Sequence, residues 1–198
     1  MQYPVMERFK TLQGEGAYTG VSAWFIRLGG CDVGCAWCDV KESWEAAAHP
    51  PVSAEELVAE AVEAQTAITV ITGGEPLMYD CTPLTEALRA AGLKVHLETS
   101  GAYPLTGTWD WITLSPKRFK PTLSEVYERT DELKVVVVNR QDYAWAEEHA
   151  ARMRPQAVCY LQPEWSRREK LHEALTDYVA SHPKWRLSLQ THKYLNIR

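Results

Sequence analysis

The chain has 198 residues, 45% of them hydrophobic and 24% charged, with a formal net charge of −5. That length predicts a single domain over residues 1–198 that buries roughly 70% of its unfolded surface, and the acidic balance argues against a general nucleic-acid binder. No apolar run approaches the ~18 residues of a membrane span, and residues 1–10 are mixed and polar, without the apolar core of a targeting signal.

Strand-like and helix-like runs alternate along the chain. Residues 23–28 predict a strand that leads into a cysteine-rich loop. Residues 53–64 predict a helix, with Ser53 and Glu56 as a capping box and Leu57, Val58, Ala61 and Val62 on one face. A buried strand over 67–72 ends in Gly-Gly, and a helix over 83–91 is stopped by Gly92. Strands follow at 94–98, ending in Thr99-Ser100-Gly101, and at 111–115, ending at Pro116. The β-branched run 133–138 is the clearest strand. Residues 142–152 then predict a helix capped by Asp142, 158–162 a strand, 167–181 a helix and 186–190 a last strand.

This alternation predicts an α/β fold, a parallel sheet wrapped by helices. A closed eight-stranded barrel typically needs about 250 residues, so an incomplete, laterally open (β/α) barrel with abbreviated helices is expected. Glycine-rich and polar segments follow the strands at 29–38, 73–76, 99–101, 115–117 and 162–165. Parallel sheets bind ligands at the carboxyl ends of their strands, so these segments are expected on one rim.

Of the five cysteines, Cys31, Cys35 and Cys38 fall within eight positions, which suits metal binding in a reducing cytoplasm better than a disulfide framework. Their C-x3-C-x2-C spacing can hold three corners of a [4Fe–4S] cluster. A fourth ligand at matching spacing is absent, which leaves one iron open to a substrate or cofactor. Gly29, Gly30 and Gly34 let the backbone wrap closely around a bulky inorganic group. The alternatives are a Zn²⁺ site completed by a histidine such as His49 and a purely structural cysteine cluster. Cys81 and Cys159 are not spaced as ligands, and Cys159 reads as core. His96, alternating with apolar residues, reads as structural. In Thr72-Gly73-Gly74-Glu75-Pro76 the missing Cβ atoms let main-chain carbonyls approach an ammonium group, although such a turn can equally just reverse the chain. The Lys117–Lys120 charge cluster reads as a wetted loop. His192 and Lys193 read equally as closing over a site or as part of a solvated tail.

The cysteine run with Trp37 just before its third cysteine, followed one strand later by Gly-Gly-Glu-Pro, resembles the radical S-adenosylmethionine (SAM) superfamily. That resemblance implies SAM on the open iron, one-electron cleavage of its sulfonium, and hydrogen abstraction by the resulting 5′-deoxyadenosyl radical. The segment Phe-Lys-Thr-Leu-Gln-Gly-Glu-Gly at 9–16 and the strand Trp24-Phe25-Ile26-Arg27 are similar to the 7-carboxy-7-deazaguanine synthase family. So are Cys31–Asp39, Thr72–Pro76, Glu98–Gly101, Ser115–Lys117 and the tail 190–197, so the similarity covers essentially the whole chain.

The family resemblance implies conversion of 6-carboxy-5,6,7,8-tetrahydropterin to 7-carboxy-7-deazaguanine with loss of ammonia, in queuosine and deazapurine biosynthesis, with SAM regenerated. It also implies a cytoplasmic homodimer, an electron donor such as flavodoxin or ferredoxin, and no direct nucleic-acid or membrane partner. Carried over as SAM contacts are Trp37, Cys38 and Asp39 in and after the cysteine loop, Gly74 and Ser100 at the next strand ends, then Ser115, Pro116 and Lys117, and last Gln162, Pro163, Glu164 and Trp165. Carried over as substrate contacts are Leu12, Gln13, Gly14, Glu15, Arg27, Thr72 and Arg198. Gln13 offers both a donor and an acceptor to a pterin edge, Glu15 accepts, and Leu12 and Gly14 offer backbone groups. Arg27 would clamp the substrate carboxylate. No catalytic residue is implied beyond the cluster and SAM.

Two positions depart from the family pattern. Val40 stands where members commonly have a Thr that ligates Mg²⁺, an ion that wants hard oxygen ligands. Mg²⁺ could still bind through the substrate carboxylate and water, or the site could be empty. Arg198 ends a chain where some members end in proline with the terminal carboxylate near the substrate. The rival readings are a glycyl-radical-enzyme activase of the same superfamily and a non-enzymatic Fe–S or Zn module.

Overall fold

The computed structural model describes residues 1–198. In chain order it contains β1 (Gln2–Leu12), β2 (Ser22–Leu28), β3 (Pro51–Ser53), α1 (Ala54–Ala64), β4 (Ile68–Gly73), α2 (Thr82–Ala90), β5 (Val95–Thr99), β6 (Trp111–Leu114), α3 (Ser124–Arg129), β7 (Glu132–Val137), α4 (Asp142–Ala150), β8 (Val158–Pro163), α5 (Arg168–Ser181), β9 (Trp185–Leu187) and α6 (Thr191–Leu195). All nine strands form one sheet in the order β3-β1-β2-β4-β5-β6-β7-β8-β9. From β2 to β9 every neighbouring pair is parallel, while β1 runs antiparallel to both β2 and β3. The sheet does not close, as expected, and its helices are short.

Strand β7 shows how the sequence builds this curved sheet. Leu133, Val135 and Val137 are fully buried and pack with Ala146 of α4 and Leu171 and Leu175 of α5. The alternate residues Lys134 and Val136 point the other way, into an interior cavity. Period-two alternation thus divides one strand between an oily exterior layer and a polar interior. A second core joins Ile26, Leu28 and Ile71 of β2 and β4 to Leu57 and Ala61 of α1 and Leu84 and Leu88 of α2.

Several expectations change in detail. Strands β1 and β3 and helices α3 and α6 had no counterpart in the sequence reading. In β1 only Tyr3 and Val5 are fully buried, so its hydrophobic pattern is too weak to announce a strand. The capping box forms by half. Ser53 Oγ accepts the Glu56 N–H (3.2 Å), but the Glu56 carboxylate turns to Arg8 (2.8 Å). Val62 is exposed rather than on the packed face of α1, which buries Leu57 and Ala61. Asp142 is the first residue of α4 rather than its cap. Its carboxylate instead accepts the N–H groups of Val138 (2.7 Å) and Asn139 (3.0 Å), pinning the turn that leaves β7.

Strand β9 stops at Leu187, short of Gln190, because Ser188 turns the chain and donates its hydroxyl to Gln162 (2.7 Å). The tail then crosses back to β1. Thr191 N–H donates to the Gly14 carbonyl (2.9 Å), and Thr11 Oγ1 donates to the Arg198 carbonyl (2.6 Å). Residues 188–198 therefore strap the open side of the sheet at its ligand-binding rim. No helix is long and apolar enough to cross a membrane.

Candidate active site

A cavity of 380 Å³ lies among the carboxyl ends of the parallel strands. It is lined by every residue singled out from the sequence as a cluster, SAM or substrate contact except Pro116, which is buried behind Ser115 and Lys117.

Cys31, Cys35 and Cys38 share one wall. Their loop is tied to the 41–44 turn by the Gly30 N–H to the Ser43 carbonyl (2.6 Å) and the Cys31 N–H to the Trp44 carbonyl (3.1 Å). The Val40 N–H points at Cys38 Sγ (3.4 Å), a donor suited to a thiolate. As bare thiols Cys31 and Cys35 resist ionisation. Burial pushes Cys31 up, and pushes Cys35 to about 11 despite the nearby Lys117. Thiols of this kind ionise when iron takes the proton's place, and three of them on one concave loop fit three corners of a [4Fe–4S] cluster. A zinc site completed by His49 does not form. The His49 ring packs on Gly29, its Nε2 lies 2.9 Å from the Glu42 carbonyl, and it does not reach the cavity.

The Gly-Gly-Glu-Pro turn sits directly against this loop. A Cβ on Gly74 would lie 2.3 Å from the Gly30 carbonyl oxygen and 2.6 Å from Cys31 Cβ, so only glycine fits. Glu75 is almost fully buried and acts as a clamp. It accepts from Thr99 Oγ1 (2.6 Å), from Ser100 N–H (2.8 Å) and hydroxyl (2.5 Å), and from Leu77 N–H (3.0 Å). The end of β4 is thereby locked to the end of β5, and the Ser100 hydroxyl is already committed. Lys117 donates to the Ser115 carbonyl and hydroxyl (2.5 and 2.7 Å) and stands over the Trp37 ring (5.8 Å).

The opposite wall is made of side-chain charge. Glu98 accepts from Gln13 Nε2 (3.0 Å) on one oxygen and from Thr72 Oγ1 (3.1 Å) on the other. Glu15 is ion-paired with the buried Lys134 and also accepts from Gln190 Nε2 (2.8 Å). Burial would raise the pKa of Glu15, but the Lys134 charge and these hydrogen bonds overturn that and hold it at about 2. Burial likewise works against the charge on Lys134, but Glu15, Glu98 and Glu132 outweigh it and drive its pKa up.

Arg27 lines the cavity with its Nε on Glu7 (2.7 Å), and Glu7 also receives Arg198 (2.5 Å) on its other oxygen. Asp39 is held by Lys193 Nζ (2.6 Å) and Gln190 (3.3 Å). The His192 ring lies so close over Gly14 that a Cβ there would fall 2.1 Å from Nδ1. The tail therefore closes over the site, and Lys193 and His192 belong to it rather than to a solvated end.

Glu98, Lys134 and Gln190 are site residues the sequence reading did not single out. The signal for Lys134 was present, as a lone lysine inside the β-branched run 133–138. Glu98 stood at a strand end beside Thr99-Ser100-Gly101. Gln190 stood in the tail 190–197 that resembles the family, but only the path of that tail brings it to Glu15. His96 is structural as expected, buried against the edge of Tyr18 (4.4 Å) with its pKa pushed by burial to about 4. Cys81 and Cys159 are buried away from the cavity.

Comparison with known proteins agrees with this geometry. Residues 25–138 match the model of the radical SAM superfamily. The chain is 56% identical to a 7-carboxy-7-deazaguanine synthase of Flavobacterium psychrophilum, over 98% of this chain and 92% of the relative. It is 52% identical to one of Synechocystis, over 100% and 95%. The crystal structure of QueE from Escherichia coli superposes with a TM-score of 0.86 at 37% identity, covering 97% of this chain and 95% of that one. The chain therefore belongs to the 7-carboxy-7-deazaguanine synthase family of the radical SAM superfamily.

Proposed function

We propose that the protein is a radical SAM lyase that converts 6-carboxy-5,6,7,8-tetrahydropterin to 7-carboxy-7-deazaguanine with loss of ammonia. The observation that carries this reading is one cavity with two chemically distinct walls, three thiols facing a polar array of Gln13, Glu98, Thr72 and Arg27. When bound, the cluster and SAM supply the electron and the carbon radical that removes the substrate hydrogen.

The protein's own residues bind and orient. A pterin presents adjacent N–H donors and a carbonyl on its pyrimidine edge. Glu98 is the acceptor for such donors, and Gln13 supplies a matching amide. Glu98 is fixed for this task by Gln13 and Thr72. Arg27 keeps Nε on Glu7, so its terminal nitrogens are the ones that meet the substrate carboxylate. Cys31, Cys35 and Cys38 hold the cluster. Backbone at Gly74, with Trp37, Ser115 and Lys117, forms the bed for SAM. The tail shields the cavity from water, with His192 over Gly14 and Gln190 on Glu15.

Magnesium does not fit this site as a resident ion. Val40 offers no side-chain oxygen, its carbonyl already accepts from Ser43 Oγ (2.7 Å), and the neighbouring carboxylate, Asp39, already carries the Lys193 ammonium. The reading extends to a cytoplasmic homodimer fed by flavodoxin or ferredoxin, on the family resemblance. Five unpaired cysteines suit a reducing compartment.

The test is anaerobic reconstitution with iron, sulfide, SAM and the carboxypterin, followed by mass spectrometry and ammonia assay. The deazaguanine acid and ammonia are expected. Protein that loads the cluster and cleaves SAM but leaves the pterin intact would move the chain to the activase class. Zinc in place of iron and sulfide would make it a binding module. Arg27→Ala is expected to raise KM for the pterin with iron content unchanged.

A further inference from the structure

Loss of ammonia requires a proton to move inside the cavity. The tetrahydropterin ring is saturated, whereas the deazaguanine product carries an aromatic five-membered ring. A C–H proton must therefore leave carbon, and the departing nitrogen must gain one. Most ionisable side chains that line the cavity are already committed. Glu15 is paired with Lys134 and held ionised. Asp39 carries Lys193, Glu98 accepts from Gln13 and Thr72, and Lys117 is bonded to Ser115. Arg27 and Arg198 share Glu7, and a guanidinium does not give up its proton.

His192 stands apart from these. Four of the six histidines, His49, His149, His172 and His182, use a ring nitrogen in a hydrogen bond within the molecule. His96 is buried against Tyr18, outside the large cavity. His192 lines that cavity and leaves both ring nitrogens without a protein partner. Its place is nevertheless fixed. Thr191 bonds the Gly14 carbonyl through both its N–H and its hydroxyl (2.9 Å each), and Lys193 is anchored on Asp39 (2.6 Å). The His192 carbonyl accepts the Ile197 N–H (3.0 Å), and the ring rests on Gly14, where any Cβ would strike Nδ1. The backbone is clamped on both sides of a ring whose polar atoms are free. Gly14 also adjoins Gln13, which holds Glu98 at the pterin end of the site.

We propose that His192 is the proton-transfer residue for ammonia release. This rests on the reading of the carboxypterin as substrate. In the closing step a carbon-bound proton passes to an imidazole nitrogen, and the C–H electron pair becomes the new ring C=C bond. The adjacent C–N bond breaks with its pair on nitrogen, and the imidazolium hands its proton to that nitrogen, which departs as ammonia. The imidazole is restored, and nothing is oxidised or reduced. Burial keeps the ring in the neutral form this needs, holding its pKa below 6.5. Glu15 and Asp39 pull the other way, while Lys193 and Lys134 reinforce the neutral form.

The test uses the cluster-loaded full chain with SAM and carboxypterin deuterated at the carbon that loses hydrogen to the radical. Deuterium appearing in SAM or 5′-deoxyadenosine is followed by mass spectrometry, and ammonia is assayed in parallel. His192→Gln keeps a polar side chain of similar size, and His192→Ala removes it. Ammonia release is expected to fall about 10²-fold or more in both, with iron content and deuterium transfer unchanged. Wild-type release should decline as pH falls below 6.5, because the neutral imidazole is the base, and His192→Gln should lack that decline. Release at the wild-type rate in either variant, or an acid decline that persists in His192→Gln, would overturn the assignment. So would equal loss of deuterium transfer and ammonia, which is the mark of a ring that merely closes the site. Wild-type protein that moves no deuterium would instead overturn the substrate reading itself.

Discussion

Along the cluster wall, residues 29–40 and 73–76 meet main chain to main chain, and the Glu75 carboxylate ties 99–101 to them. Gly74 lies under Gly30 and Cys31, and the Glu75 N–H reaches the Gly30 carbonyl (2.9 Å). The facing wall is assembled from side-chain charges that arrive on separate elements. Glu98 comes from β5, Lys134 from β7, Arg27 from β2 and Glu15 from the segment after β1. The tail adds Gln190 and Lys193. A bulky inorganic group needs close, rigid backbone. A flat polar substrate needs donors and acceptors at set positions. The two walls differ because their ligands do.

The sharpest way to break this comparison is at Lys134. Truncating it to Ala leaves Glu15, Glu98 and Glu132 in a buried site without their cation. Breaking a buried pair from one side costs about 3–5 kcal/mol, so the urea midpoint of Lys134→Ala should fall far below that of the wild type at neutral pH. The pH dependence carries the same signature. Glu15 is depressed from 4.5 to about 2 in the fold, so its contribution is fully present above pH 4.5 and is lost as pH falls toward 2. Lys134 is raised above 10.5, so its contribution is full below that value and is lost only as pH climbs beyond it. Wild-type stability should therefore decline on acidification below pH 4.5, and Lys134→Ala should show a shallower decline. Parallel acid profiles for the two proteins would mean that the pair does not set the interior.

Gly74→Ala probes the other wall. The new methyl must push the cysteine loop off β4, and a displacement of about 1 Å near a reacting centre costs about 10²-fold in rate. Iron content should drop with the rate, and the urea midpoint should fall by the equivalent of about 1–3 kcal/mol because backbone has to give way. An iron-replete, fully active variant would show that the close approach is not needed.

The two walls also differ in how far the sequence reveals them. Cys31, Cys35, Cys38 and Gly74 are legible because their chemistry is written in local spacing. The parallel strands are legible for the same reason, since 133–138 is a continuous β-branched run. β1 is not, because only Tyr3 and Val5 along its length are buried, which leaves no alternation to read. Lys134 was overlooked because the period-two pattern that turns it inward becomes visible only once the exterior helices are placed against Leu133 and Val135. Gln190 and Lys193 belong to the site through hydrogen bonds spanning some 150 residues or more of chain, and no local pattern encodes such a contact.

The smallest expected effect concerns Val40 and the cation that the site holds. Asp39 lines the cavity and is bound at 2.6 Å by the Lys193 ammonium, which also donates to the Gln190 amide oxygen (3.1 Å) and stands over the Trp165 ring (5.2 Å). A fixed ammonium on the available carboxylate supplies positive charge where a divalent ion would otherwise gather it, and like charges repel strongly at this range. Turnover in magnesium-free buffer should therefore match turnover with the ion added. Val40→Thr alone should not change this, because the new hydroxyl still faces an occupied carboxylate. Val40→Thr combined with Lys193→Met should create magnesium stimulation, by restoring an oxygen ligand and vacating Asp39 together. Titrating magnesium against the rate of the four proteins, including Lys193→Met alone, separates the two contributions. A wild-type enzyme that stops without magnesium would show that the lysine on Asp39 yields to the ion when substrate binds.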